Sequence, residues 1–304
     1  MTYSIVARDP TTGRFGVAVQ SHYLGVGPVV PWLEAGVGAV ATQASVNVSF
    51  GPIGLELLRA GRSADSVVAG LVASDDRPEV RQLGVVDAEG RAAAHTGAEC
   101  IPACGQLVRD GFTVQGNLLE RETCWPAMAS AYEETLAAGE PFVERLLRAM
   151  EAAEAEGGDV RGRQSAAIMI VDSVVHTAAW RGRVMDVRIE DHPDPVPELR
   201  RIVTMQLAYE LLDPEGEAVK AGRSAEERYA DARRLAPDAY ELVFWRGLEL
   251  ATEGDMEAGR RELAIAFAAD GRWRTTLEHL AAARREGVTP ELAAELLADS
   301  DSSS

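Results

Sequence analysis

Residues 2–21 read TYSIVARDPTTGRFGVAVQS. Tyr3, Ile5 and Ala7 alternate with Ser4, Val6 and Arg8, DPTTG turns the chain, and FGVAVQS runs back. The period of two, broken by a Pro/Gly-containing turn, predicts a β-hairpin with Gly13 at the loop exit. Chain ends are ordinarily loose, so a strand that begins at the second residue holds the N-terminus rigidly in a sheet.

Further along, HYLGVGPVVPWLEAGVG (22–38) reads as a Gly/Pro-rich loop and AVATQASVN (39–47) as a buried strand. SFGPIGLELLRAG predicts a helix that stops at Gly61, and SADSVVAGLVAS a second with Ser63 as its N-cap. RQLGVVDAEGRAAAHTG forms a second hairpin turned by DAEG, and GQLVRDGFTVQGN two strands around Asp110-Gly111. Then the period changes. WPAMASAYEETLAAG and PFVERLLRAMEAAEAEG repeat at helical spacing, with Phe142, Leu146, Leu147 and Met150 on one face. QSAAIMIVD, VVHTAAW and RVMDVRIED follow as strands, and HPDPVPELRRIVTMQLAYELL returns to helix. Strands and helices without strict alternation predict an α+β domain with largely antiparallel sheets over 1–212.

PEGEAVKAG lies in a linker, 213–223. Residues 224–298 carry only helical patterns, broken at Pro237, Gly254 and Gly271, with Leu235, Phe244, Trp245, Leu248, Leu263 and Trp273 at packing positions. This small all-α segment partly resembles tetratricopeptide helices, an architecture that binds a partner or packs on a neighbour. DSDSSS, at 299–304, reads as a disordered tail.

The chain has 304 residues, 46% of them apolar, and a net charge of −18 spread over both halves. Nucleic acid and anionic membranes are therefore poor partners. Three cysteines, Cys100, Cys104 and Cys124, make neither a disulfide framework nor a zinc set and read as structural thiols. With no signal segment and no apolar run of about 18 residues, a cytoplasmic location is expected. No metal spacing among the five histidines, no phosphate-binding glycine motif and no GxSxG elbow occurs. Neither a metal nor a cofactor is expected.

The chemistry that remains lies at the head of the first strand. Thr2 is either an ordinary start residue or, once Met1 is removed, a hydroxyl nucleophile beside its own α-amine. That amine would have a pKa of about 7.7–8.0, suited to a general base. Ser4 shares its strand face and is a helper or a rival nucleophile. Asn117, just past a strand in TVQGNLL, either caps a turn or donates to an oxyanion. In GGDVRGRQSAAIMIVD, Asp159, Arg161, Gln164 and Ser165 either pair with each other or line a pocket, where an arginine fork would hold a substrate carboxylate. Gln43, Ser45 and Asn47 share a face of an apolar strand and demand partners, so they either satisfy each other or look into a cavity. His22 follows the second strand and is placed to approach the site.

Taken together, TYSIVARDPTTGRFGVAVQS, GVGAVATQASVN, GPIGLELLRAG, RQLGVVDAEGRAAAHTG, VQGNLL and GGDVRGRQSAAIMIV resemble the domain-of-unknown-function 1028 family over about residues 2–200. That family looks like a member of the N-terminal-nucleophile (Ntn) hydrolase superfamily. The resemblance implies an αββα four-layer sandwich and hydrolysis of an amide or ureido C–N bond in a small-molecule substrate. It also implies a nucleophile at the head of the first strand, which maps to Thr2. Asn117 maps to the oxyanion donor by residue type, and Arg161, with Gln43 or Asn47, is expected to orient the substrate. The alternative is a non-catalytic binding or scaffold protein whose helical tail recruits a protein partner or self-associates.

Overall fold

The computed structural model describes residues 2–298 and divides into two compact units at Arg201/Ile202, within the helix that joins them. The expected tail at 299–304 lies outside the described residues. The first unit is mixed α/β with two antiparallel sheets. The predicted hairpin forms as β1 (Thr2–Arg8) and β2 (Phe15–Ser21), turned at Gly13, where φ is +74°. Glycine adopts this left-handed conformation without the Cβ clash that other residues meet.

The hairpin sits at the middle of a six-stranded sheet. β9 (Ser165–Val171) and β10 (Arg183–Ile189) lie beyond β2, while β8 (Phe112–Asn117) and β7 (Gly105–Arg109) lie beyond β1. The four-stranded sheet runs in chain order: β3 (Pro31–Glu34), β4 (Gly38–Ala44), β5 (Arg81–Asp87) and β6 (Ala92–Thr96). β1 is buried along nearly its whole length because both its faces are covered. Val6, with Val17 and Val19 of β2, packs against Ala39 and Ala41 of β4. On the opposite face Tyr3 reaches a helix, where its hydroxyl hydrogen-bonds Glu154.

The helices divide between the sheets. α1 (Phe50–Arg59) and α2 (Ala64–Ala73) pack against the four-stranded sheet, and α3 (Cys124–Ala137) and α4 (Phe142–Ala155) against the six-stranded one. Ser63 caps α2 as predicted, accepting from the Ser66 N–H. Gly16 lets α4 approach: a Cβ there would stand 2.6 Å from Leu146 and 2.9 Å from Phe142. A buried ion pair, Arg145 of α4 with Asp9 of the β1–β2 turn at 3.0 Å, ties helix to hairpin.

Three local expectations are corrected. VVHTAAW is not a strand but a turn leading into a 3₁₀ segment at Ala179–Gly182, with His176 folded back onto Asp172 at 2.8 Å. The Gly/Pro-rich loop contains β3. β4 ends at Ala44, whose φ of +67° turns the chain out of the sheet, so Ser45 and Asn47 do not continue the face of Gln43.

α5 (Pro195–Leu212) crosses from one unit to the next, and the expected linker holds a short helix, α6 (Glu217–Lys220). The second unit is all helix from there on. It comprises α7 (Ala225–Leu235), α8 (Tyr240–Thr252), α9 (Met256–Ala269), α10 (Arg272–Ala283) and α11 (Pro290–Ala298). α8 and α9 touch at Gly247 and Gly259, where each Cβ would meet the other glycine's carbonyl. Phe244 is buried there and stacks on Trp273, while Leu235 and Trp245 stay more than a third exposed. Among the described residues no helix is long and apolar enough to cross a membrane.

Candidate functional site

Thr2 opens β1 directly opposite Ser21 on one side and Asn117 on the other. The first pairing follows from the hairpin register (Tyr3 on Gln20, Arg8 on Phe15), the second from that with β8. Its hydroxyl donates to Ser21 Oγ at 3.1 Å, and only 5% of the residue is exposed. Its carbonyl accepts from Asn117 Nδ2 at 3.3 Å and Gln43 Nε2 at 3.2 Å. Three strands of one sheet and one strand of the other therefore converge on the first strand residue. Ser21 was open to sequence reasoning, since the turn length fixes which residue faces Thr2, but nothing in its immediate sequence marks it.

Behind Thr2 the space between the sheets is filled with amides. Ser4 Oγ donates to Gln43 Oε1 and accepts from Gln115 Nε2, both at 2.6 Å. Gln82 Oε1 accepts from Gln43 Nε2 at 2.7 Å and from Asn117 Nδ2 at 2.8 Å. Gln82 Nε2 donates to the Gly116 carbonyl at 2.8 Å and to Thr96 Oγ1 at 2.9 Å. Thr113 Oγ1 closes on Gln115 Oε1 at 3.0 Å. Buried amides are costly unless paired, and here they pair with one another across the two sheets. Gln115 lies over Gly84 of β5, where a Cβ would stand 2.5 Å from its Oε1. Gln43 thus looks into a network and not into a cavity. Ser4 has no exposed surface and both its hydrogen-bonding roles are filled. Gln82 and Gln115 were not singled out from the sequence. Their signal was the same as that of Gln43, a glutamine in an otherwise apolar strand.

The loop before β9 closes over the same end of the sheet. Leu119 bridges to Asp159, and the Glu120 N–H donates to the Gly158 carbonyl. Asp159, 4% exposed, accepts from the His22 N–H at 2.9 Å and from Arg161 through its N–H, Nε and Nη2 at 3.0–3.2 Å. Asp159 and Arg161 therefore pair, and the Arg161 side chain remains 34% exposed. Ser165 is a tie: its hydroxyl donates to the Tyr23 carbonyl and accepts from the Val26 N–H at 3.1 Å. Gln164 reaches away to Asp191 at 3.2 Å. Asn47 is held by Asp75 at 2.7 Å and shapes its own loop through the Ser49 N–H. The structure thus brings Thr2, Asn117 and Gln43 into contact and seats His22, Asp159 and Arg161 in one cluster. Gln164, Ser165 and Asn47 have separate partners.

Burial, with Glu154 alongside, pushes the Tyr3 hydroxyl well above its ordinary range, so it is a proton donor at neutral pH. Burial raises all three cysteine thiols, none of which is in a disulfide. Among the described residues no group of three or more His, Cys, Asp or Glu is placed to hold a metal ion.

Comparison with known proteins bears on the same region. Residues 2–199 match the model of a family described as a family of unknown function, DUF1028. Among solved structures, the crystal structure of protein SPO2555 from Silicibacter pomeroyi, of the same family model, is similar over 66% of this chain and 84% of that chain. The sequence identity is 32% and the TM-score 0.59. No curated protein matches. The stretch matched begins at Thr2 and runs through α4, β9 and β10 into α5, and the chain belongs to the DUF1028 family of unknown function.

Proposed function

We propose that the first unit is an Ntn-type amidohydrolase that cleaves an amide or ureido C–N bond of a small molecule with Thr2 as nucleophile. The observation that carries this reading is the place of Thr2: it heads a central strand, its hydroxyl lies on Ser21, and side-chain amides from both sheets meet at its carbonyl. Two facing sheets with helix pairs on their outer sides support a four-layer reading of the fold.

The reaction requires Thr2 to be the N-terminal residue. Its neutral α-amine takes the hydroxyl proton as Oγ attacks the substrate carbonyl carbon. The resulting oxyanion takes a hydrogen bond from Asn117 Nδ2, given up by the 3.3 Å contact to the Thr2 carbonyl, the longer of the two that this nitrogen makes. Collapse expels the amine with the proton held by the α-ammonium and leaves an ester on Thr2. Water, deprotonated by the same amine, then releases the acid and restores the hydroxyl. Arg161, held by Asp159, presents a cation for a substrate carboxylate. Gln43 and Asn47 are committed to Gln82 and Asp75 and have no such role in this reading.

The test is intact mass of the purified protein before and after a hydroxyl-directed electrophile. The expected result is a chain starting at Thr2 that gains one adduct, mapped to Thr2 and absent from Thr2→Ala. A chain that keeps a residue before Thr2 and gains no adduct overturns the mechanism.

One observation favours a second reading, in which tetratricopeptide-like helices recruit a partner. The second unit holds a cavity of about 480 Å³ bordered by Arg228, Tyr229, Trp245 and Arg246, with Trp245 37% exposed. This reading gains if the electrophile leaves Thr2 unmodified.

A further inference from the structure

The loops around Thr2 expose apolar side chains. Tyr23 and Leu24 follow β2, Val46 and Val48 follow β4, Ile101 lies between β6 and β7, and Val160 lies between α4 and β9. All six are between 37% and 66% exposed. They come from four loops far apart in sequence, yet each loop is tied to a neighbour of the Thr2 site. Ser21, which takes the Thr2 hydroxyl, ends β2 two residues before Tyr23. One residue past Asn117, the Leu118 carbonyl accepts from the Val160 N–H at 3.4 Å and the Leu118 N–H donates to the Ile101 carbonyl at 3.2 Å. The carbonyl of Asn47, between Val46 and Val48, accepts at 3.1 Å from Thr42 Oγ1, on the residue before Gln43. The His22 N–H joins two of the loops directly through Asp159 at 2.9 Å.

Single exposed apolar residues are ordinary, but four loops that present them around one point form a patch of the kind that takes a ligand. By contrast Val174, Val175 and Trp180, also exposed, all come from the one segment between β9 and β10. The collar around Thr2 has a charge at its edge. Arg161 directly follows Val160, and its partly exposed side chain is anchored on the buried carboxylate of Asp159 at 3.0 Å. A ligand that matches this surroundings is apolar in one part and anionic in another, with its reacting carbonyl between the two.

We propose that the substrate is an N-acyl amino acid with an apolar acyl group, its acyl chain on the collar and its carboxylate on Arg161. The inference rests on the reading of Thr2 as nucleophile and deepens it. An apolar acyl group puts carbon on one side of the scissile carbonyl, which selects the amide over the ureido bond. As Thr2 Oγ bonds to the carbonyl carbon, the C–N bond breaks and the amino acid leaves with the proton held by the α-ammonium. Water then gives its hydroxide to the acyl carbon and its proton, through the amine, to Thr2 Oγ. The products are a carboxylic acid and a free amino acid.

Calorimetric titration of the full chain carrying Thr2→Ala, which binds without turnover, tests it. The probes are N-acetyl-, N-butanoyl-, N-hexanoyl- and N-octanoylglycine. Each added methylene should tighten binding about twofold, half the logarithmic gain of a fully buried one. Adding Leu24→Ser and Val48→Ser should remove most of that gain; both side chains are exposed, so the fold does not depend on them. N-methyloctanamide, which lacks the carboxylate, should bind about tenfold more weakly than N-octanoylglycine, and Arg161→Gln should abolish that difference. The proposal is overturned if no probe binds up to about 10 mM, if affinity is independent of chain length, or if the two serine substitutions leave the gain intact. If affinity is flat and those substitutions dissociate a wild-type dimer, the collar is a contact between copies of the chain. A chain-length gain in a protein whose Thr2 takes no electrophile overturns the nucleophile and keeps the apolar site; a Thr2 adduct with flat affinity does the reverse.

Discussion

Thr2 and Ser4 occupy the same face of one strand, two residues apart, yet their surroundings differ in kind. Ser4 is shut between two glutamines that use its donor and its acceptor, whereas Thr2 sits where strands end and a loop begins. Ser4→Ala would leave Gln43 Oε1 and Gln115 Nε2 each one partner short. We expect it to cost about 2–3 kcal/mol in urea unfolding and to leave the Thr2 adduct intact. Asn117→Ala should lower hydrolysis about 10²–10³-fold if its amide serves the oxyanion, read as kcat at saturating substrate. The strand-end positions of Thr2 and Asn117 were legible in the sequence, because the alternation of TYSIVAR starts at Thr2 and the strand of FTVQGN runs out at Asn117. The pairing of Gln43 was not. Its partners Gln82 and Gln115 come from two other strands, and no local pattern says which strands of different sheets will face each other.

Elements with a strong period were equally open to reading. The β1–β2 hairpin, the α2 cap and the long helices each declare themselves within about a dozen residues. β3 did not, because four residues, Pro31–Glu34, are too few to show alternation inside a Gly/Pro-rich loop. VVHTAAW was misread for the opposite reason: its β-branched residues favour extension, but the contact of His176 with Asp172 folds the segment into a turn. The glycines that set distances between elements were invisible as such. Gly16→Ala would drive a methyl into Leu146 and Phe142. It should destabilise the protein by about 1–3 kcal/mol, seen as a lower denaturant midpoint at unchanged m-value.

At the scale of the molecule, the fold carries its own acid sensitivity. Burial opposes the Asp9 carboxylate, yet hydrogen bonds from Thr12 and Thr11 and the charge of Arg145 hold it below the usual range. Burial likewise opposes Glu144, and Arg200 and Arg148 outweigh it. Each group is therefore more acidic folded than unfolded, where Asp and Glu titrate near 3.9 and 4.3. Between the folded and unfolded values the unfolded chain binds more protons. The stabilisation is complete above about pH 5 and drains away as pH falls below about 4. A urea midpoint measured from pH 7 to pH 3 should drop steeply only at the acid end. Asp9→Asn should flatten part of that drop. It should also cost about 3–5 kcal/mol at pH 7, because Arg145 is left buried without its counter-charge.

The amides between the sheets have one more effect. Apolar surfaces forgive sliding, since one methyl is as good a neighbour as the next. Ser4, Gln43, Gln82, Gln115 and Asn117 are not interchangeable in this way, because each accepts or donates at a fixed atom. Shifting β1 by one residue would turn Ser4 out of the network and put Tyr3 in its place, leaving several amides stranded at once. The interior thus works as a keyed joint: only one alignment of the two sheets closes it, and that alignment fixes where Thr2 comes to rest.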